Sequence, residues 1–335
     1  MDSITQIVLG AAVGEAVVGK KVGNWAVFWG AVAGTVPDLD VFVSYFTDNI
    51  TALQIHRGFT HSFIFSVLFG LIFGFLVSKI HQKLPATWKE WSTLFFLGFL
   101  THALLDAHTT WGTQVFWPIN YKVAFKNIFV IDPFYTVPFL VFLVWAICHK
   151  KGSVKRKRYN NLGLIISSCY MLLTLGLKGL SYQKFEHALA KNKVNYSSIS
   201  TRPTPLNTIL WAANIQLQDG FLIAYYSFFD SKEIQFSEEI PKNYHLLKPF
   251  IHEKKVQQLI NITEGWYAVE KVGDQLIFKD LRFGQHDITD ITSDFVFSYE
   301  LFYDKNGSFQ AKELPKSFRD GKQMLNTLIN RVKGN

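Results

Sequence analysis

Cysteine is scarce in this sequence. Only Cys148 and Cys169 occur in 335 residues. Both lie inside apolar stretches and at no metal-ligand spacing, so a disulfide framework and a thiolate metal site are not expected, and both read as buried thiols. A basic amino-terminal region is also missing. Asp2 stands where a secretory signal would carry positive charge, so no cleavable signal peptide is expected. No internal repeat or low-complexity tract is evident. Acidic residues are the minority charge, 26 against 34 basic, for a formal charge of +8. That sign suits an anionic membrane surface or nucleic acid. Nucleic acid is the weaker reading, because the densest basic run, residues 150–158, lies between two apolar segments.

Apolar residues are plentiful: 49% of the chain is hydrophobic, with 31 phenylalanines. The mean hydropathy is only mildly positive, so an apolar part is being averaged with a polar one. Six apolar segments carry the first part, at residues 4–18, 25–45, 62–80, 91–106, 134–147 and 162–180. A spanning helix needs about 20 predominantly apolar residues. Residues 62–80 meet that need alone and 162–180 nearly do. The others are short or carry polar groups, as expected of helices packed around a polar centre. Basic residues fall in alternate connections: Lys20 and Lys21, then Lys79, Lys83 and Lys89, then Lys150 to Arg158. The positive-inside rule makes those connections cytoplasmic. The amino terminus, residues 46–61, residues 107–132 and everything after Leu180 are then expected outside.

After Leu180 charges become frequent and short apolar runs alternate with turn signals such as Gln218-Asp219-Gly220 and Lys305-Asn306-Gly307. The expected fold is an α-helical polytopic membrane domain of about six helices over residues 1–182. A mainly β extracytoplasmic domain follows over residues 183–335, ending in a helix near residues 322–332.

Three pieces carry the candidate chemistry: Pro37-Asp38-Leu39-Asp40; His56-Arg57-Gly58-Phe59-Thr60-His61-Ser62; and His102 to Asp106 with His108 beyond. Ionisable side chains within spanning segments are functional candidates by default. Asp38, Asp40, His56, His61, His102 and Asp106 form a mixed oxygen and nitrogen set suited to a divalent metal such as zinc, manganese or iron. His102 and Asp106, four apart, share a helical face. Asp38 and Asp40, two apart, would diverge by about 200° on a continuous helix, so the segment is expected to loosen at Pro37 and let both converge. Thr60 is placed to cap the helix opening at His61. All six residues, with Gln6, map to the outer ends of their segments.

Blander readings apply to other residues. Arg57 is near enough to be an ion-pair partner for Asp38 or Asp40. His108 is off the shared face, Asp132 reads as the cap of the fifth helix, and Glu15 reads as snorkelling near the cytoplasmic end. His81, His149 and His187 are expected to face water. Trp111, Trp117 and Tyr121 read as an interface belt.

These pieces, in this order and among apolar segments, resemble the bacterial membrane-bound metal-dependent hydrolase family, which includes inner-membrane proteins under LexA control. Thr109, Gly112 and Trp117-Pro118 belong to the same pattern, as does the opening Met1-Asp2-Ser3-Ile4-Thr5-Gln6. Gln6 stands where several relatives carry histidine. The stretches Arg202-Pro203-Thr204-Pro205-Leu206-Asn207 and Asp280-Leu281-Arg282-Phe283-Gly284 look like features of a subgroup with an added C-terminal domain. The family is similar, more distantly, to zinc-dependent phospholipase C.

The resemblance implies a phosphoester hydrolase of the inner membrane. Zinc would activate a water, Asp38 or Asp40 would act as general base, and Arg57 would stabilise anionic charge. A site at headgroup depth favours a membrane lipid or other amphiphilic, lipid-linked substrate, and no nucleic acid partner is expected. The alternative is a metal-stabilised membrane scaffold whose outer domain binds a partner. A metalloprotease lacks its H-E-x-x-H signature here. A lipid phosphate phosphatase lacks the Ser-Arg and Pro-Ser-Gly-His pieces.

Overall fold

A computed structural model describes residues 1–288, 293–315 and 321–335. The chain divides into two compact units. Unit 1 comprises residues 1–47, 55–176 and 205–207, and unit 2 comprises residues 48–54, 177–204 and 208–335.

All six apolar segments are helical. They are α1 (Ser3–Val22), α2 (Asn24–Thr35), α4 (Phe63–Ile80), α5 (Trp88–Ala107), α6 (Pro133–Ile147) and α7 (Val154–Lys191), with a short α3 (Asn49–Ile55) between α2 and α4. The expectation of about six membrane helices is narrowed. Three helical stretches, Asn24–Tyr45, Phe63–Ile80 and Val154–Lys191, are long and apolar enough to cross a membrane, and Pro133–Ile147 is a shorter apolar helix. The reason is visible in α1 and α5. More than half of each is buried, including Gln6, Glu15, His102 and Asp106, so they form the polar-bearing interior that the apolar helices surround.

Glycine sets the closest packing in unit 1. Gly10 and Gly14 of α1 face Gly30 and Gly34 of α2, and a Cβ on Gly10 would run into the Gly30 carbonyl oxygen. Two small-xxx-small pairs let the backbones touch, which brings the start of α1 against the end of α2. Around this seam Val18, Val22, Ala26, Ala33, Phe65, Phe95 and Phe99 form one core. Val8, Ala12, Leu105, Tyr135, Phe139 and Leu143 form another beside α6.

Unit 2 is mainly β, as expected. β1 (Ser198–Pro203), β2 (Leu210–Gln216), β3 (Gly220–Ser227) and β4 (Ile240–Pro241) make one antiparallel sheet. β5 (Tyr267–Val272), β6 (Gln275–Gln285), β7 (Phe295–Tyr303) and β8 (Phe309–Glu313) make a second. Trp211, Ala213 and Ile215 of β2 pack on Phe185 and Leu189 at the end of α7. On the opposite face of that sheet Phe221 and Ile223 pack on Ala268, Leu281 and Phe295 of the second sheet. The amphipathic α8 (Lys254–Thr263) was not foreseen; the closing helix α9 (Gly321–Val332) lies where residues 322–332 place it.

Several local expectations change. Cys148, at the C-terminal cap of α6, and Cys169, on α7, are exposed. Glu15 does not snorkel: it is buried and held by Arg156, whose Nε and Nη2 donate to its two oxygens at 2.7 Å each. His81 accepts from Trp29 Nε1 at 2.9 Å and sits among Trp25, Trp29 and Trp91. His149 bonds Trp145 O at 2.7 Å.

Candidate metal centre

The chain after α2 continues as a 3₁₀ helix over Val36–Tyr45, with Pro37 in its first turn. The loosening expected at Pro37 occurs, but it does not bring both carboxylates to one point. At three residues per turn, two positions are about 240° apart, and Asp38 and Asp40 take up different partners.

Asp38 meets the histidines. Its Oδ1 lies 3.3 Å from His61 Nε2 and 3.4 Å from His102 Nε2. His61 Nε2 is 3.1 Å from His102 Nε2 and 3.4 Å from Asp106 Oδ2, and His102 Nε2 is 3.9 Å from Asp106 Oδ2. Asp38, His61, His102 and Asp106 therefore present four ligand atoms within 4.8 Å of one another, a group that could hold a metal ion. At metal–ligand distances of about 2.0–2.1 Å, the edge of a tetrahedron is about 3.3–3.4 Å. The His61–His102, His61–Asp38, His102–Asp38 and His61–Asp106 spacings, 3.1–3.4 Å, lie near that value, and His102–Asp106 at 3.9 Å is longer.

The outer nitrogens of the two imidazoles are already engaged. His102 Nδ1 lies 2.8 Å from the Gly34 carbonyl oxygen, which only accepts, so Nδ1 carries a proton and the neutral ring presents its lone pair at Nε2. Thr60 Oγ1 donates to Asp40 Oδ2 at 2.8 Å and is 3.0 Å from His61 Nδ1. With its own proton on Asp40, that hydroxyl accepts from His61 Nδ1–H, which leaves Nε2 of the neutral ring as the ligand atom. With both rings neutral, two imidazole lone pairs and two carboxylate oxygens converge on one point. Asp106 Oδ2 is buried and takes no hydrogen bond. This donor set fits a divalent cation.

Asp40 and His56 lie one layer out. Asp40 Oδ1 is 2.7 Å from His56 Nδ1, and Asp40 Oδ2 accepts from Arg57 N at 3.1 Å as well as from Thr60. A carboxylate behind a ligating histidine fixes the ring's tautomer and orientation. Arg57 adopts a left-handed φ of 62°, a conformation uncommon for a non-glycine residue and found where surrounding structure enforces it. Its Nε is 3.0 Å from Asp106 Oδ2, out of line for a hydrogen bond, and its Nη1 donates to Thr109 Oγ1 at 2.8 Å.

Gln6 is a supporting residue: its Nε2 donates to Asp106 Oδ1 at 3.0 Å and to the His102 carbonyl at 3.3 Å. The Met1 amino group also pairs with Asp106 Oδ1. Sequence reasoning weighed Gln6 only as a ligand; its buried place on α1, across from the Asp-bearing face of α5, is a tertiary fact. Ser62, not Thr60, caps α4, accepting from Phe65 N at 3.0 Å. Asp132 caps α6, accepting from Phe134 N and Tyr135 N. His108 bonds Asn127 Oδ1 at 2.8 Å and stacks on Phe125, away from the group. Trp117 packs edge-on against Phe59.

The group is buried on three sides. His61, His102 and Asp106 are enclosed, whereas Asp38 and His56 each retain 23% side-chain exposure. Access to the site is therefore from the Asp38 side.

The chain matches no curated protein and no solved structure. Residues 1–185 match the family model described as YdjM inner membrane protein, a stretch that covers more than half the chain and holds every residue of the site. The chain belongs to the YdjM inner membrane protein family.

Proposed function

We propose that the protein is a multi-pass, metal-dependent hydrolase of the inner membrane acting on a phosphoester of a lipid or lipid-linked substrate. The observation that carries the reading is the convergence of four potential ligand atoms within 4.8 Å of one another, with Asp38 at the exposed edge. Zinc suits two imidazoles and two carboxylates best; manganese and iron share much of that chemistry. Such an ion lowers the pKa of a bound water and polarises a phosphoryl oxygen.

The residues divide the remaining work. His61, His102 and Asp106 are the enclosed ligands. Asp38, at the exposed edge, is the ligand nearest an entering substrate and is placed to take the proton of an attacking water. Arg57, anchored on Asp106 and Thr109, supplies a fixed positive charge for a developing oxyanion without reorganising. Asp40 positions His61 through Thr60. His56, hydrogen-bonded to Asp40 and partly open to the surroundings, is placed to protonate a leaving group. The orientation favoured by the basic connections puts this end of the helices outside, with the C-terminal unit extracytoplasmic, and so selects a substrate of the outer leaflet.

A scaffold reading is favoured by one feature, the burial of three of the four donors, since structural metal sites are closed and catalytic ones keep a position open. The partial exposure of Asp38 argues for the hydrolase. The test is a screen of detergent-purified protein against phospholipids and lipid-linked phosphates, run with Asp38→Asn alongside. Turnover by the wild type and loss of turnover in Asp38→Asn with the metal retained is the expected result. Metal at full occupancy with no hydrolysis of any substrate would favour the scaffold.

A further inference from the structure

A period of three decides which side of the metal centre is open. Side chains at i and i+3 eclipse one another in a 3₁₀ helix, the form taken by Val36–Tyr45. Pro37 and Asp40, three apart, are its buried members and face the interior. Asp38 stands in the next row, with Val41 and Ser44. Leu39, Phe42 and Tyr45 make the third row. The supporting carboxylate is thus on the inward row and the ligating carboxylate on an outward one.

Beyond Asp38 both outward rows are largely apolar. Leu39, Val41 and Phe42 are 47%, 50% and 52% exposed, and the exposed Tyr45 stacks on Phe42. Ser44 donates its hydroxyl to the Val41 carbonyl at 2.7 Å, so the helix satisfies it without water, as a lipid-facing row requires. The stretch Asn24–Tyr45 is long and apolar enough to cross a membrane. Asp38 lies well inside it, about 14 Å short of Tyr45 along the axis at about 2.0 Å per residue. The open edge of the metal centre is therefore on the flank of a spanning stretch and not at its tip.

A carboxylate facing hydrocarbon is costly unless a polar group covers it, whereas Val41 and Phe42 beside it are best covered by hydrocarbon. An amphiphile meets both demands, with its head at the ion and its chain along the helix.

We propose that the metal centre opens sideways onto the bilayer, and that Val41 and Phe42 hold the hydrocarbon chain of the substrate while its headgroup reaches the ion beside Asp38. The proposal rests on the metal-dependent reading of the site and adds a route and a specificity to it. Ligands with the same head bind more tightly as their chain lengthens. Val41 and Phe42 are specificity residues and take no part in the chemistry.

The test uses the full chain, loaded with zinc, in vesicles of phosphatidylethanolamine and phosphatidylglycerol. Ethylphosphonate and dodecylphosphonate present one metal-binding head on a short and a long chain. The affinity of each is read from how far it slows extraction of the zinc by a chelator, with empty vesicles correcting for partition into lipid. Dodecylphosphonate is expected to bind about tenfold or more tighter than ethylphosphonate. The double variant Val41→Ala, Phe42→Ala should cut that ratio about threefold or more, with ethylphosphonate affinity unchanged. Leu71→Ala, on an exposed position of α4, should alter neither value. All three side chains are exposed, so their truncation leaves the core intact. Equal affinities for the two phosphonates, or a ratio that the double variant leaves unchanged, would overturn the proposal while the metal centre stands. Zinc that does not load, or protection by neither phosphonate, would overturn it together with the reading on which it rests.

Discussion

His61 and His102 approach each other nitrogen to nitrogen, with their Nε2 atoms 3.1 Å apart and the opposite nitrogen of each ring already donating, to Thr60 and to the Gly34 carbonyl. In two neutral rings the lone pairs at that distance repel, which a cation or a shared proton between them relieves, and Asp38 and Asp106 add two more acceptor oxygens to the same point. The arrangement is one that a bound metal stabilises and that its removal leaves frustrated.

Metal removal is therefore predicted to destabilise unit 1. A ligand at 100 times its Kd contributes about 2.7 kcal/mol, so chelation should lower the thermal midpoint of the detergent-solubilised protein by several degrees. Restoring zinc should bring the midpoint back. A midpoint indifferent to chelator would show that no metal is bound to the folded chain.

Asp40 tests the layer behind the ligands. Asp40→Asn keeps the shape but weakens the acceptor for Thr60 and His56. Losses of about 10–100-fold in metal affinity are typical for such partners. Competition with a chromophoric chelator measures this, and an unchanged affinity would remove Asp40 from the centre.

The seam between α1 and α2 carries the site's geometry. Gly34 supplies the carbonyl for His102, and Gly34 itself packs against the backbone at Gln6. Gly10→Leu inserts a side chain where a single Cβ already collides, and overpacking costs about 1–3 kcal/mol or more. A lower unfolding midpoint together with weaker metal binding is expected, because Gln6 moves with α1. Full stability in Gly10→Leu would contradict the packing described.

Glu15 and Arg156 are buried and mutually bidentate, with Arg156 also donating to Asn24 Oδ1 at 2.8 Å. Removing one partner of such a pair strands the other and costs about 3–5 kcal/mol, whereas apolar replacement of both is often tolerated. Glu15→Gln should lower the midpoint more than the double variant Glu15→Leu, Arg156→Met. Equal losses in both would mean that the pair is not acting as a buried unit.

Much of the site was legible because its residues are costly where they stand. An aspartate or histidine within an apolar segment announces itself, and the four-residue spacing of His102 and Asp106 gave their shared face. What the sequence could not distinguish was the layering. Asp38 and Asp40 are chemically alike and two apart, and only the 3₁₀ turn after Pro37 separates the one that meets the imidazoles from the one that supports them. Gln6 and Thr60 act through contacts 96–100 and 20 positions away, outside the reach of any local pattern. Glu15 was misjudged for the same reason, since its partner Arg156 is 141 positions distant and sat in a basic run that reads as solvated. The β unit and its closing helix were visible in short apolar runs separated by turn signals.

The most direct test of the central claim is the metal content of the purified protein by mass spectrometry, wild type beside His102→Ala. The wild type is predicted to hold at least one equivalent of a transition metal, most of all zinc, and folded His102→Ala to have lost it. Wild-type protein that carries no such metal after incubation with zinc, or folded His102→Ala that carries as much as the wild type, would contradict it.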